Sequence, residues 1–165
     1  MSGAGAPGLA VDGAGMTVEI VAASWHTTIM DGLVAGAVGA CEAAGASYRV
    51  TRVPGCFEIP VVAQVVASRA HGAEARDGGR PVAIVGLGVV IRGDTPHFEY
   101  VCEAVTRGLT DVARINEIAV GFGILTCDDE AQAIARAGLA GSKESKGAEA
   151  VEAAIATARI LENLA

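Results

Sequence analysis

The chain is poor in charge: only 19% of its 165 residues are Asp, Glu, Lys or Arg, against 52% hydrophobic residues and a further 22 glycines. So few polar side chains do not cover a monomer of this size, so part of the apolar surface is expected to be covered by further copies of the chain. Basic residues are scarcest. Twelve Lys and Arg against 19 Asp and Glu leave a net charge of −7, with no basic cluster. A nucleic-acid groove needs a stripe of Lys and Arg to neutralise phosphates, so nucleic acid is excluded as a partner. An anionic ligand must then be held by a local device, because the field of the whole protein repels it. No apolar run approaches the roughly 20 residues of a membrane helix, and no basic stretch precedes an apolar one at the start, so neither a membrane span nor a secretory signal is expected. Cys41, Cys56, Cys102 and Cys127 form no CxxC pair and no metal-ligand spacing. They read as free thiols of a reducing cytoplasm, with no metal.

What is present is an alternation of short apolar runs and helical periodicity, without internal repeats. Residues 1–15, small and glycine-rich, read as a flexible tail, and 16–165 as one domain. Val18 to Ala23, broken only by Glu19, suits a strand buried on both faces. Ile29, Leu33, Ala37 and Cys41 follow at helical spacing until Gly45. Tyr48 to Val53 reads as a second strand, and Pro60 as the first turn of a helix whose apolar face is Val61, Val62, Val65 and Val66. A polar loop is expected over 70–80, with His71 solvated, then a third strand from Val82 to Ile91. Thr95 as cap, Pro96 at the first helical position and Glu99 open a helix carrying Phe98, Val101, Cys102, Val105, Leu109 and Val112 on one face. Ala119 to Leu125 is a fourth strand; Thr126 to Asp129 opens a short helix ending at Gly138, and Ala148 to Leu164 forms the last. The order βαβαβαβαα implies an α/β fold, a parallel sheet with helices on both faces. Such sheets bind ligands at the carboxyl ends of their strands.

Four strand exits therefore matter. The first carries Ser24-Trp25-His26-Thr27, with the only tryptophan, and the second Pro54-Gly55-Cys56-Phe57-Glu58. Trp25 alone reads as a core or interface aromatic; with Phe57 it can instead sandwich a planar ring. Glu58 is either a helix-terminal charge or an acceptor for a polyol chain. At the third exit, Gly88 to Thr95 nearly copies the phosphate loop GxxxxGK[ST], with Asp94 in place of lysine. Nucleoside triphosphate hydrolysis is thereby excluded, but a glycine turn feeding a helix start still makes an anion site, and an ordinary strand-to-helix turn is the equal alternative. His97 favours the anion site. It falls in the first turn of that helix, where imidazolium is disfavoured and a neutral ring can accept a proton; a packing role is the bland alternative. Phe122 reads as a strand residue facing a helix or a neighbour. Arg136 and Lys146 bracket the polar loop from Gly138 to Gly147, either as solvated charges or as the cation the anion loop lacks.

Taken together, Ser24-Trp25-His26, the run Val53 to Pro60, the run Gly88 to Tyr100 containing IRGDTPHFEY, Gly123 to Thr126, Arg136 to Gly138 and Lys146 to Glu149 resemble the lumazine synthases. The resemblance covers about Ser24 to the end. It implies a flavodoxin-like three-layer sandwich with a four-stranded parallel sheet, and homo-oligomers, either pentamers or icosahedral shells of them. It also implies a site between subunits that uses no cofactor, and it admits riboflavin synthase as a partner. The implied substrates are 5-amino-6-(D-ribitylamino)uracil and 3,4-dihydroxy-2-butanone 4-phosphate. By match of position, Trp25 stacks on the pyrimidine, Cys56, Phe57 and Glu58 hold its ribityl chain, and the backbone of Val89, Val90 and Ile91 reads the uracil edge. Gly93, Asp94 and Thr95 meet the butanone phosphate, and His97 is the general acid/base. Phe122 and Arg136 come from the adjacent subunit, Arg136 toward the phosphate, with Lys146 nearby. His26 stands where many members have asparagine, and Cys56 where alanine is usual. The loop from Gly138 to Lys146 is not the tight turn of shell formers, which favours an isolated pentamer.

Overall fold

Three apolar runs and the more polar, alternating Ser47–Val53 form the four strands of one sheet in a computed structural model that describes residues 10–71 and 82–164. The elements are β1 (Thr17–Ala23), α1 (Thr27–Ala44), β2 (Ser47–Val53), a 3-10 turn (Cys56–Glu58) leading into α2 (Ile59–His71), β3 (Val82–Ile91), α3 (His97–Ile115), β4 (Ala119–Cys127), α4 (Glu130–Ile134) and α5 (Lys146–Leu164). All pairings are parallel, in the order β2-β1-β3-β4. α1 and α5 pack together on one face, and α2 and α3 on the other. This is the flavodoxin-like α/β sandwich that the resemblance implies.

The two central strands, β1 and β3, are buried nearly throughout, as their unbroken apolar runs require. Glu19 is the exception. It is buried on β1 but faces its register partner Arg49 on β2, with Nη1 3.1 Å from Oε1. Where helices meet sheet or helix, glycine permits the contact. A Cβ on Gly147 of α5 would stand 2.0 Å from the Leu33 carbonyl oxygen of α1, and one on Gly121 of β4 would stand 2.2 Å from that of Ala150.

Some local expectations need correction. Of the α2 valines, Val62 and Val66 pack half-buried against the core, while Val61 and Val65 are exposed and the fully buried positions are Ile59, Ala63 and Ala67. Close packing against the neighbouring helix favours the two alanines there. Thr95 does not cap α3. Pro96 holds the cap position at ψ −1°, and no side chain bonds to the helix start. Thr126 belongs to β4, and Asp129 caps α4 by accepting from the Gln132 N–H at 2.8 Å. The loop expected over 70–80 lies, beyond the end of α2, outside the described residues, as does the side chain of His71. Residues 1–9 lie outside them too. Of the rest of the expected tail, the Gly13 N–H donates to the Ala44 carbonyl at 2.8 Å, and Arg159 donates to the carbonyls of Asp12 and Ala14 at 2.9 and 2.6 Å.

The close contact of α1 with α5 predicts a paired result. Gly147→Ala, which drives a methyl into backbone, is expected to destabilise the protein by about 2–4 kcal/mol. Gly39→Ala, on α1 with open space around it, is expected to stabilise it by about 0.5–1 kcal/mol. Denaturant unfolding of the two variants checks both signs.

Candidate active site

The register explains where a cleft opens. β3 pairs with β1 only as far as Leu87, opposite Ala22, yet continues beside β4 to Ile91. The chain of β1 turns away at Ser24, so the backbone groups of Val89 and Ile91, alternating with those of Val90 and Arg92 that face β4, form a wall without a strand partner. The exits of β1 and β2 form the opposite side. They are tied to each other: the Ser24 N–H donates to the Pro54 carbonyl at 3.3 Å and its hydroxyl to the Val53 carbonyl at 2.8 Å. Arg52 fixes the same corner, donating to the Ala23 carbonyl at 3.0 Å and to Asp31 of α1 at 3.1 Å. Between these walls lies a cleft of about 500 Å³.

Eight of the expected site residues line it: Trp25, Cys56, Phe57, Glu58, Val89, Val90, Ile91 and His97. His26, Pro54, Gly55 and Val101, not singled out as site residues from the sequence, complete the lining. Trp25 and Phe57 leave 71% and 65% of their surface exposed, an uncommon cost for rings unless something covers them. Glu58 closes the 3-10 turn by accepting from the Gly55 N–H through Oε2 at 2.9 Å, which leaves Oε1 to accept from a ligand. The Cys56 thiol donates to the Val89 carbonyl at 3.6 Å, linking the two walls. Burial pushes that thiol up to about 11, so it stays protonated at neutral pH.

His26 shows how the Trp25 corner is built. It precedes α1 at φ 58°, ψ 60°, left-handed backbone that most side chains resist and that Asn and His tolerate better than most. The departure from the expected asparagine is therefore conservative in backbone terms.

The remaining expected residues lie outside the cleft. Gly93, Asp94 and Thr95 are exposed on the loop that joins Ile91 to His97, at the rim. The uncapped start of α3 follows them. Phe122 sits half-exposed on edge strand β4. Arg136 follows α4 and donates to the Gln132 carbonyl at 2.9 Å. Lys146 opens α5 between Glu149 at 2.6 Å and Glu144 at 2.9 Å. Burial lowers its ammonium, but the two carboxylates outweigh this and hold it above its ordinary value. Arg136 and Lys146 are joined through their backbones, the Lys146 N–H donating to the Arg136 carbonyl at 3.0 Å. One chain thus brings two exposed rings, a carboxylate and open strand backbone into one cleft, and among the described residues the basic side chain beside the Gly93–Thr95 rim is already paired. Arg92, which stands there, is bonded to Asp128 and Glu99 and holds both carboxyls below their ordinary range. These pairs are intact at neutral pH, and their stabilisation is lost only as pH falls through those lowered values. Among the described residues no group of His, Cys, Asp and Glu could hold a metal ion, and no helix is long and apolar enough to cross a membrane.

A cleft walled by an overhanging strand, with two exposed rings and a histidine, lies at the carboxyl edge of a parallel sheet, where α/β proteins of this class hold small molecules. The family model of 6,7-dimethyl-8-ribityllumazine synthase matches residues 15–162. The 6,7-dimethyl-8-ribityllumazine synthases of Leifsonia xyli and Kineococcus radiotolerans are 56% and 54% identical, over 99% and 100% of this chain and 99% and 97% of their own length. That of Streptomyces avermitilis is 52% identical over 99% of this chain and 97% of its own. The chain belongs to the 6,7-dimethyl-8-ribityllumazine synthase family.

His26→Val, which forces a β-branched side chain into left-handed backbone, is expected to cost about 1–2 kcal/mol. His26→Asn is expected to stay within about 0.5 kcal/mol of the parent. Thermal unfolding of both variants, with Trp25 fluorescence reporting the corner, is the check.

Proposed function

We propose that this cleft is the seat of the family's reaction and that a second copy of the chain completes it. As a family member the chain is a transferase of riboflavin biosynthesis. It condenses 5-amino-6-(D-ribitylamino)uracil with 3,4-dihydroxy-2-butanone 4-phosphate to 6,7-dimethyl-8-ribityllumazine, phosphate and water. The observation that carries the placement is that residues from three strand exits, distant in sequence, line one cleft whose rings, carboxylate and open backbone suit the pyrimidine and its ribityl chain. Trp25 stacks on the ring, Cys56 to Glu58 receive the polyol, and the unpaired edge of Val89 to Ile91 reads the uracil. The butanone phosphate lies against Gly93, Asp94 and Thr95 at the uncapped start of α3, where N–H groups and the helix dipole favour an anion.

The phosphate still lacks a cation, and Arg136 of a neighbouring copy supplies it, with Phe122 beside the ring. Lys146, held between Glu144 and Glu149, stays engaged in its own chain and is the lesser contributor. The outward faces of Val61, Val65 and Tyr100 give the neighbour apolar surface to cover. The assembly is a homopentamer. The loop from Gly138 to Lys146 is braced by a backbone bridge between Ala137 and Ser145 and turns through Gly138 and Gly141, which suits a rim element of an isolated ring. The compartment is the cytoplasm, in keeping with four free thiols. Riboflavin synthase, which consumes the product, is the protein partner this reading admits.

The chemistry needs orientation and proton transfer. The pyrimidine amine attacks the butanone carbonyl and water leaves as the imine forms. Loss of a carbon-bound proton then expels phosphate, the enol tautomerises, and the ribitylamino nitrogen closes the ring with loss of a second water. His97 at the cleft wall carries the protons, and the Gly93–Thr95 loop with Arg136 stabilises the departing phosphate.

Mixing the protein with both substrates and following lumazine absorbance and phosphate release, against a control without enzyme, tests this. Saturable acceleration that requires both substrates is expected, and His97→Ala is expected to slow turnover by about 10²-fold. A His97→Ala rate equal to that of the parent removes His97 from proton transfer.

A further inference from the structure

Arg92 has no role in the reading above, yet its side chain joins three parts of the site rim. Nε donates to Asp128 Oδ1 at 2.9 Å, in the turn after β4. Nη1 donates to Glu99 Oε1 in the first turn of α3, and the guanidinium lies 4.1 Å from the centre of the Phe98 ring. Its backbone N–H donates to the Cys127 carbonyl at 2.9 Å. Arg92 immediately precedes the anion loop, while Phe98 and Glu99 lie just beyond it. The side chain therefore closes that loop on itself and anchors it to the neighbouring strand exit.

The charges matter as much as the shape. Asp94 lies in the loop, Glu99 just after it and Asp128 at the adjoining turn, in a chain whose net charge is already −7. A phosphate dianion arriving here meets all three carboxylates unless something neutralises them. Arg92 is bonded to two. Direct contact with the phosphate would require the guanidinium to release one of them, so its position suits a counter-charge and not a ligand.

We propose that Arg92 is a positioning residue for the phosphate-bearing substrate: by neutralising Glu99 and Asp128 while it braces the Gly93–Thr95 loop, it keeps the rim open to a dianion. This rests on the proposed placement of the phosphate at that loop.

The test uses Arg92→Gln and the triple variant Arg92→Gln/Glu99→Gln/Asp128→Asn, which removes the carboxylate charges and keeps hydrogen-bonding side chains. Two quantities are read on the assembled protein: KM for each substrate, and the affinity for inorganic phosphate by calorimetry. Arg92→Gln is expected to raise KM for the butanone phosphate, and to weaken inorganic phosphate, by about fivefold at low salt. KM for the pyrimidine should stay unchanged, and the ratio to the parent should shrink as salt screens the carboxylates. The triple variant should return to within about twofold of the parent. If Arg92→Gln does not fold, the triple variant read against the parent decides alone. Equal rises in both KM values, unchanged phosphate affinity in Arg92→Gln, or a triple variant as weak as the single one overturns the proposal. A parent that turns over both substrates yet does not bind inorganic phosphate at this rim, with Gly93→Ala and Thr95→Ala leaving KM for the butanone phosphate unchanged, overturns the placement of the phosphate instead.

Discussion

Beyond Leu87, where its pairing with β1 ends, β3 continues to Ile91 with β4 on one side and nothing of the sheet on the other. That overhang exists because β1 leaves the sheet at Ser24 through a left-handed residue, His26, while β3 stays paired with β4 as far as Cys127. The cleft depends on it. Backbone groups that would otherwise be satisfied within the sheet face a space large enough for a bicyclic product, and the exits of β1 and β2 bring rings and a carboxylate to its other side. The rigid part of the candidate site is strand, and its proposed reactive part is the first residues after each strand.

Much of this was legible because the sheet is parallel and buried. An unbroken apolar run such as Val82 to Ile91 has few structural alternatives, and it forms a strand with those same ends. Once strands and helices alternate, the exits are fixed by topology, so Trp25, Phe57, Glu58 and His97 could be selected before their contacts were known. The α2 face was legible only in part: Val62 and Val66 pack against the core, but Val61 and Val65 turn outward and Ala63 and Ala67 are the ones fully buried. Hydrophobicity ranks its valines above its alanines, but α2 approaches α3 closely enough that Pro60 lies against Gly108, and such an approach favours small side chains. The left-handed turn at His26 was hidden for another reason: glycine or asparagine would have advertised it, and histidine does not. The bonds of Arg52 and Arg92 were hidden because pairs formed across strand exits leave no trace in local spacing.

Electrostatically, the protein is an acidic molecule that handles an anion. Among the described residues, Arg52 beside the cleft is engaged with Asp31, Arg92 at its rim with Glu99 and Asp128, and Lys146, outside it, with Glu144 and Glu149. They shape the loops and cancel neighbouring charge, so in the proposed site phosphate rests on backbone N–H groups and on a cation of a second copy. The low charge content and the outward aromatic and valine side chains both suit the surface that a second copy covers in the proposed assembly.

The proposed dependence on a second copy is tested most directly by subunit complementation. In that proposal His97→Ala and Arg136→Ala each disable one side of a shared site. If the two side chains act across an interface, rings assembled from an equal mixture contain about a quarter of sites with both groups intact. Synthase activity well above either parent variant, reaching about a quarter of the unmodified protein, is the predicted result. Mixed rings no more active than the better parent would contradict the account and place the whole site within a single chain.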